Sequence, residues 1–541
     1  MKGCQSKPKR SAENTEAWIL GSGTASLASA LYLFKHAKVH PSKIHVLDKH
    51  ISLEQASHHK GDSLGGYDQF AGCLPIPVGS LMKELLATIP SATAEGQSVL
   101  DEIQKAEANR LSAKGDDHTC FVALKNGAFE HIPIESLNLS LKHRTSLILF
   151  FLKREKYLTG SKIRDVFPAS FFESPFWTVW SVQFGFQPWH SAAEFRRALR
   201  QYLPEFHTLS ILSCLDITGY YQYESVYLPI YFYLRSCDVD FQFGVDLKNI
   251  EITKHHDQQT ITGLDLIREG HEVHKSLGKD DIVIATLGST ISGSEIGTNE
   301  NPPLWQSMAA DDMLDQNWSA WLDLGNKHPS FGNPYHFCTR QHESMLESFT
   351  ITTEDLGLWE NLQGQLRCTS EAGAFLFLED SAWKINLSIP PQPVFSEQPS
   401  HVRVLWGFAH SPLCDGNYVQ KPMLQCSGAE ILTELLEHLK LGEKATSSRT
   451  ITIPRAMPRM SAILLSRAPK DRPQIVPQAF CNLGLIGQFV EVPRCTSVDI
   501  SYGIRTAKIA VSRLMGLQTQ IEPVGSTANS TASVIWKVLS W

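Results

Sequence analysis

Ala17-Trp-Ile-Leu-Gly21-Ser22-Gly23-Thr24-Ala25-Ser26-Leu27-Ala28-Ser29-Ala30, followed by Ile44-His-Val-Leu-Asp48, is the stretch that decides the fold of this 541-residue chain. A short apolar run stops at Gly21-x-Gly23 and continues as a helix of small residues. That order is a strand, a tight turn and a helix N-terminus whose free backbone N–H groups can hold a pyrophosphate. Asp48 ends the second apolar run, where a carboxylate accepts hydrogen bonds from an adenosine ribose. Ser26 stands where the third glycine of such a fingerprint is usual, so helix and strand pack slightly less closely. A Gly-rich turn in any α/β unit is the plain alternative, but the strand before, the helix after and the acid at the right distance favour dinucleotide binding.

The same pattern recurs far along the chain. Asp281-Ile-Val-Ile-Ala285 runs into Thr286-Leu287-Gly288-Ser289, and Cys481-Asn-Leu-Gly-Leu-Ile-Gly487 repeats the form before the helix Arg505 to Ala510. Three strand-to-glycine junctions imply one discontinuous cofactor domain with insertions between its pieces. Gly61-Asp-Ser63-Leu64-Gly65-Gly66 is a further Gly-rich loop, small enough to approach a flat cofactor or its phosphates, or else an ordinary turn.

Bulk properties set the limits. A chain of 541 residues exceeds one hydrophobic core, so several units are expected. With 42% apolar and 19% charged residues, it has material for sizeable cores and does not read as disordered. Forty-nine basic against 56 acidic residues leave a net charge of −7, which gives no support to nucleic-acid binding. Eleven cysteines without a CxxC pair read as reduced thiols in a cytosolic compartment, and no metal-ligand spacing is evident. No run approaches ~18 apolar residues, so a spanning helix is not expected. The basic Lys7-Pro-Lys-Arg10 reads as part of a solvated tail. The last segment, Ser533 to Trp541, is apolar enough to dock on the body or to touch a membrane surface, docking being favoured.

Between the cofactor pieces, Leu81, Met82, Leu85, Leu86 and Ile89 recur at helical spacing, and residues 92 to about 130 look polar and irregular. Residues 140–157 read as a helix. Phe171 to Trp180 carries five Phe or Trp side chains, a packed helical unit or the wall of an apolar pocket, with packing the default. Ser191 and Glu194 form a capping-box pattern, which places His190 just before a helix as a structural hydrogen-bonding residue. Residues 240–284 read as short strands, and Ile431, Leu432, Leu435, Leu436 and Leu439 as an amphipathic helix.

With these motifs in place the chain resembles the oleate hydratase family, FAD-dependent proteins also called myosin-cross-reactive antigens. The resemblance covers most of residues 15–515. It rests on Gly21 to Ala28, Gly61 to Leu64, Pro188-Trp-His-Ser191, Gln222-Tyr223-Glu224-Ser225, Gly416-Asn-Tyr-Val419, Lys421-Pro-Met423, Asp471-Arg-Pro473, Ile486-Gly-Gln-Phe489 and Pro493-Arg494. It implies a homodimeric FAD enzyme that adds water to a cis double bond of an unsaturated fatty acid; from the cysteines and the apolar runs the protein is expected in the cytoplasm, with at most peripheral membrane contact. Tyr223 falls on the family's proton-donating tyrosine. FAD is expected against Gly21, Ser22, Gly23, Thr24, Ala25, Ser26 and Asp48, with Ser63, Leu64, Gly65, Thr286, Gly288, Ser289 and Gly487 approaching from the other side.

Two departures stand out. Counting back from Ile89-Pro-Ser91 sets Phe70-Ala-Gly-Cys73-Leu74-Pro75 against the family's Arg-Gly-Gly-Arg-Glu-Met, so Leu74 takes the place of the water-activating glutamate and Cys73 that of a basic neighbour. Asp68 is an alternative carboxylate. The family's Thr-Asn-Gly-Ser reads Thr286-Leu287-Gly288-Ser289, which predicts weaker FAD affinity. The expected activity is therefore that of an oleate hydratase-like hydro-lyase, impaired or altered. A double-bond isomerase and a flavin-containing fatty-acid-binding protein without turnover are the other readings.

The expected architecture is α/β: a discontinuous Rossmann-like FAD-binding domain, an α/β substrate domain and a helical cap. The boundaries are 1–16 for a polar tail; 17–91, 240–295 and 475–515 for the FAD domain; 92–239 for the cap and substrate region; 296–474 for the substrate domain; and 516–541 for a C-terminal tail.

Overall fold

The computed structural model describes residues 10–51, 61–68, 79–114, 120–132, 139–203, 223–256, 258–304, 316–367, 373–441, 449–498, 501–518 and 531–540. Five strands form a parallel sheet in the spatial order Leu483–Ile486, Ile282–Thr286, Ala17–Leu20, Ile44–Asp48, Asp240–Phe243. They come from separate stretches of the chain, so the sheet is the discontinuous Rossmann-like unit anticipated from the three glycine junctions. Ala17–Leu20 sits at its centre with every residue buried, as a parallel strand covered on both faces must be. The helix Ser501–Met515 lies against the helix Thr24–Lys35, and a Cβ at Gly503 would be only 3.4 Å from that of Ala25. Small residues on the first helix therefore serve close helix packing as well as the turn.

After Asp240–Phe243 the chain leaves this sheet for an antiparallel one of Val245–His255, Gln258–Arg268 and His271–Ser276. Its first two strands run 11 residues each rather than being short. One face is in water, and the Lys, Glu, Asp and Thr residues alternating along it look like breaks in a hydropathy scan.

The second unit is built on an eight-stranded sheet in the order Glu295–Ile296, Thr450–Met457, Leu346–Thr353, Arg403–Ala409, Ile385–Ile389, Ala374–Leu378, Cys120–Lys125, Ala128–His131. The last two strands come from the stretch read as irregular and placed with the cap. They join this sheet because Cys120–Lys125 pairs in parallel with Ala374–Leu378. The polar stretch also holds the helix Val99–Lys114, whose weak amphipathic pattern concealed it. The two faces of the sheet differ in chemistry. On one, Phe349, Ile351, Leu376, Ile385, Leu387 and Leu405 form a dry core with the helices Leu356–Leu366 and Gly428–His438. The other carries Thr352, Thr350, Ser348, Arg455, Trp406 and Phe408, by the alternation of a pleated strand and the observed register. Ser427 and Glu430 form a complete capping box at the start of the Gly428–His438 helix.

The cap contains the helices Leu141–Leu152, Pro175–Phe184 and Ala192–Tyr202. Its aromatic residues are core. Phe171, Phe176 and Trp180 are fully buried, and Phe167 stacks on Phe171 at 4.3 Å. Each such side chain contributes on the order of 1.5–3 kcal/mol by leaving water. Ser191 accepts from Glu194 N–H, but the Glu194 carboxylate does not return the bond. It is drawn instead to Arg467, Arg472 and Arg197, because three guanidiniums outbid one amide. His190 has the structural role expected: its Nδ1 accepts from Gln187 N–H and its Nε2 lies 3.2 Å from the Glu343 carbonyl.

The C-terminal helix Thr531–Ser540 docks on Leu141–Leu152 with Val538 buried, while Trp536 stays exposed. Six described cysteines are free, but Cys120 is disulfide-bonded, against the expectation of reduced thiols throughout. Among the described residues no helix is long and apolar enough to cross a membrane.

Candidate functional site

At the carboxyl ends of the parallel strands the three glycine junctions come together. Gly21 has φ +100°, a conformation other residues rarely adopt, and a Cβ there would lie 3.5 Å from Thr286 Oγ1. A Cβ on Gly487, at φ +98°, would meet Thr286 Cγ2 at 3.3 Å. Ser26 and Thr286 join their hydroxyls at 3.0 Å, and Gly487 N–H donates to Thr506 Oγ1 at 3.0 Å. Ser26 thus spends its side chain on holding the helix to the neighbouring strand.

Above this floor the residues fit a pyrophosphate. Gly23 is the N-cap of Thr24–Lys35, no side chain caps it, and the first turn, with Thr24 and Ala25, carries no acid. Among the described residues no atom lies within 4 Å of where a Gly23 Cβ would stand, which leaves room at the uncapped helix start, whose first N–H groups have no intrahelical partner. These are the groups that would hold the diphosphate of FAD.

Asp48 does more than wait for a ribose. One carboxylate oxygen accepts from Ser22 N–H and Oγ–H at 2.9 and 2.7 Å, and the other from His50 N–H at 2.9 Å with His50 Nδ1 at 2.6 Å. Burial pushes its pKa up, but the bonds from His50 and Ser22 outweigh that and leave it below the ordinary value. A carboxylate has about four acceptor sites, and here all are in use.

The remaining cofactor candidates lie differently. Ser63, Leu64 and Gly65 form the tip of a hairpin between Gly61–Asp62 and Gly66–Tyr67, with Leu64 76% exposed. Asp62 accepts from the N–H groups of Leu64 and Gly65 at 2.8 and 2.6 Å, so the tip is tied to itself. Gly288, at φ +65°, packs beneath Phe489 and Trp318, and the Ser289 carbonyl accepts from Trp318 Nε1–H at 3.0 Å. Both shape the return of the chain from below.

Tyr223 opens a π-helical turn, Tyr223–Tyr227, a distortion frequent at functional sites. Its ring stacks on Tyr227 at 5.3 Å and packs against Tyr67, Val394, Phe395, Val402 and Val404. Tyr227 donates to the Ser22 carbonyl at 2.9 Å, and burial above all raises its pKa. Glu224 accepts from Ser396 N–H and Oγ–H, both at 3.0 Å. The turn that bears Tyr223 is thereby tied to the nucleotide loop through Tyr227 and, through Glu224, to Ser396 in the connection between the strands Ile385–Ile389 and Arg403–Ala409.

Two residues that pattern reading did not mark for this junction, Tyr67 and Ser396, belong to it. Tyr67 stacks on Phe395 at 4.4 Å and donates its N–H to Thr352 Oγ1 at 2.8 Å. The next residue, Asp68, forms a buried ion pair with Arg455. Asp68 was visible in the sequence as an alternative carboxylate, whereas the contacts of Tyr67 depend on the distant Thr352 and Phe395. Phe70, Cys73 and Leu74 lie outside the described residues.

A profile of the MCRA family matches residues 14–512. An oleate hydratase of Streptococcus pyogenes serotype M49 (strain NZ131) is 28% identical over 521 residues, covering 92% of this chain and 85% of that protein. A linoleate hydratase of Lactiplantibacillus plantarum is 26% identical over 549 residues, covering 93% and 94%. Among solved structures, an oxidoreductase from Methanosarcina mazei covers 90% of this chain and 98% of its own at 12% identity and a TM-score of 0.45, too loose a likeness to argue from.

Proposed function

The chain belongs to the MCRA family, and from that membership we propose that it is a flavin-dependent enzyme that adds water to a cis double bond of an unsaturated fatty acid. The observation that carries the reading is the tie from Tyr223 through Tyr227 to Ser22, which sets a phenol beside the nucleotide loop. Net hydration consumes no electrons, so FAD, when bound, supplies shape and electrostatics to the site. Gly21 to Ser26 and Asp48 would hold its diphosphate and ribose end, with Thr286, Gly288, Ser289 and Gly487 shaping the strand ends beside it. Tyr223 Oη gives the proton to one alkene carbon. A phenol with the usual pKa near ~10 is a weak acid, so the pocket must favour the developing positive charge by preorganised groups rather than by acidity. The apolar and aromatic residues around Tyr223 exclude bulk water and seat the acyl chain.

The curated relatives are named for oleate and linoleate, and a fatty acid with a cis double bond in mid-chain is the substrate class we assign. Leu74 at the expected glutamate position favours a second reading in which the ordinary reaction is slow, or in which the double bond is moved rather than hydrated. The test is to incubate pure protein with reduced FAD and a panel of unsaturated acids, then weigh the products. Gain of one water supports hydration, an unchanged mass with a shifted double bond supports isomerisation, and recovery of the starting acid reduces the protein to a binder. The homodimer belongs to the same reading and is checked by mass in solution.

A further inference from the structure

Adding water to an alkene needs two groups on opposite sides, one to give a proton and one to orient the water and take its proton. We infer that Asp68, held by Arg455, is the water-orienting carboxylate of this chain; the assignment rests on the hydratase reading above.

The geometry comes from the hairpin that follows the nucleotide-binding strands. At Gly66, φ +93°, a Cβ would lie 2.8 Å from Ile451 Cγ2 and 3.1 Å from Ile453 Cγ1, so glycine lets the backbone press directly onto the large sheet. Tyr67 then fastens to Thr352 and stacks on Phe395, within the cluster that receives Tyr223. Asp68 is the next residue, 5% exposed, and it pairs with Arg455, 3% exposed. Tyr223 comes to this cluster from the π-helical turn, and Asp68 follows Tyr67, a member of the same cluster, in the chain.

Other described carboxylates nearby are committed elsewhere. Asp48 is saturated by Ser22 and His50, and Glu224 is occupied by Ser396. Glu194 is enclosed by Arg197, Arg467 and Arg472. Glu347 lies opposite Ala409 on the face of the sheet that carries the dry core, whereas Arg455 lies opposite Ser348 on the other face. The guanidinium fixes the direction of the Asp68 carboxylate and balances its charge in a place where an isolated charge would not be tolerated.

The step balances without a further reagent. The Tyr223 proton forms a C–H bond at one alkene carbon, the water oxygen forms a C–O bond at its neighbour, and one water proton passes to Asp68. That proton then returns through solvent to the Tyr223 phenolate.

The test compares flavin-loaded full-length wild type with Asp68→Asn, Asp68→Glu and the double variant Asp68→Asn/Arg455→Met, following hydroxy acid formed from oleate. Expected are a kcat lowered about 100-fold or more in Asp68→Asn with KM within about twofold, partial recovery in Asp68→Glu, and loss of the acid limb of the pH–rate profile in Asp68→Asn. The double variant removes the unpaired cation that could unfold Asp68→Asn; it is expected to fold, keep flavin and remain slow. A folded Asp68→Asn or double variant within about threefold of wild type overturns the assignment and leaves the hydratase reading standing. A wild type that forms no hydroxy acid from any acid of the panel overturns both.

Discussion

Tyr227 hands its phenolic hydrogen to the Ser22 carbonyl at 2.9 Å while its ring lies 5.3 Å from that of Tyr223. A residue on the turn that bears the proposed acid therefore touches the loop that bears the proposed cofactor. The two tyrosines are expected to fail differently. Tyr223→Phe should lower turnover about 100-fold or more with flavin content unchanged. Tyr227→Phe leaves a buried carbonyl unpaired, costs about 1 kcal/mol and should weaken flavin binding roughly fivefold, read by flavin titration. The opposite pattern would count against the assignment of roles.

Gly23 and Gly21 separate binding from folding. Among the described residues nothing lies within 4 Å of where a Gly23 Cβ would stand, so Gly23→Trp should fold with a normal thermal midpoint yet fill the anion site and retain no flavin. A yellow, stoichiometrically loaded Gly23→Trp protein would refute the cradle. Gly21→Ala meets a different obstacle, φ +100°, and should lose roughly 1–3 kcal/mol in stability itself, measured by denaturant unfolding.

Glu194 is the acid-sensitive bolt between cap and core. Burial acts to raise its pKa, but Arg472, Arg197 and Arg467 outweigh this and bring it down to about 2. A folded-state pKa below the unfolded value near ~4.5 means stability that is complete above that pH and lost as pH falls toward the folded value, of order 3 kcal/mol. Glu194→Gln should cost about 3–5 kcal/mol at pH 7, since three buried guanidiniums lose a partner, and should flatten the acid limb of stability against pH.

His410 works in a higher window. Both its ring nitrogens are buried and have no hydrogen-bond partner among the described residues, and burial, with His190 adding to it, pushes its pKa down to about 3. The unfolded imidazole binds a proton near ~6.5, so stability falls as pH drops below that value, by roughly 2 kcal/mol at pH ~5 from this group. His410→Leu should narrow the difference between denaturant midpoints at the two pH values by that amount. No narrowing would mean that the imidazole is charged or solvated in the folded protein.

The parts of the site differ in how plainly the chain announced them. Gly21, Gly23 and Asp48 were legible because a turn at positive φ and a helix N-terminus each demand particular residues within a few positions. The capping pattern at Ser191 and Glu194 was legible as a helix start but concealed the larger use of the carboxylate, which depends on arginines some 270 positions away, Arg467 and Arg472 among them. Leu64 was marked by its glycine neighbours, yet the hairpin turns it into water. The strand Cys120–Lys125 looked irregular because one of its partners, Ala374–Leu378, is contributed by a distant part of the chain.

The sequence by itself determined the Rossmann-like beginning, the return of the chain at Thr286 and Gly487, the apolar helix faces and the family, since these depend on local backbone demands and on runs of residue types. Only the tertiary structure decided that Asp68 meets Arg455, that Tyr223 packs against the cluster containing Phe395 and Tyr67, and that Tyr227 reaches Ser22. Those meetings are set by strand order and register between distant segments. A side chain's neighbours across a sheet carry no imprint on the residues beside it in the chain.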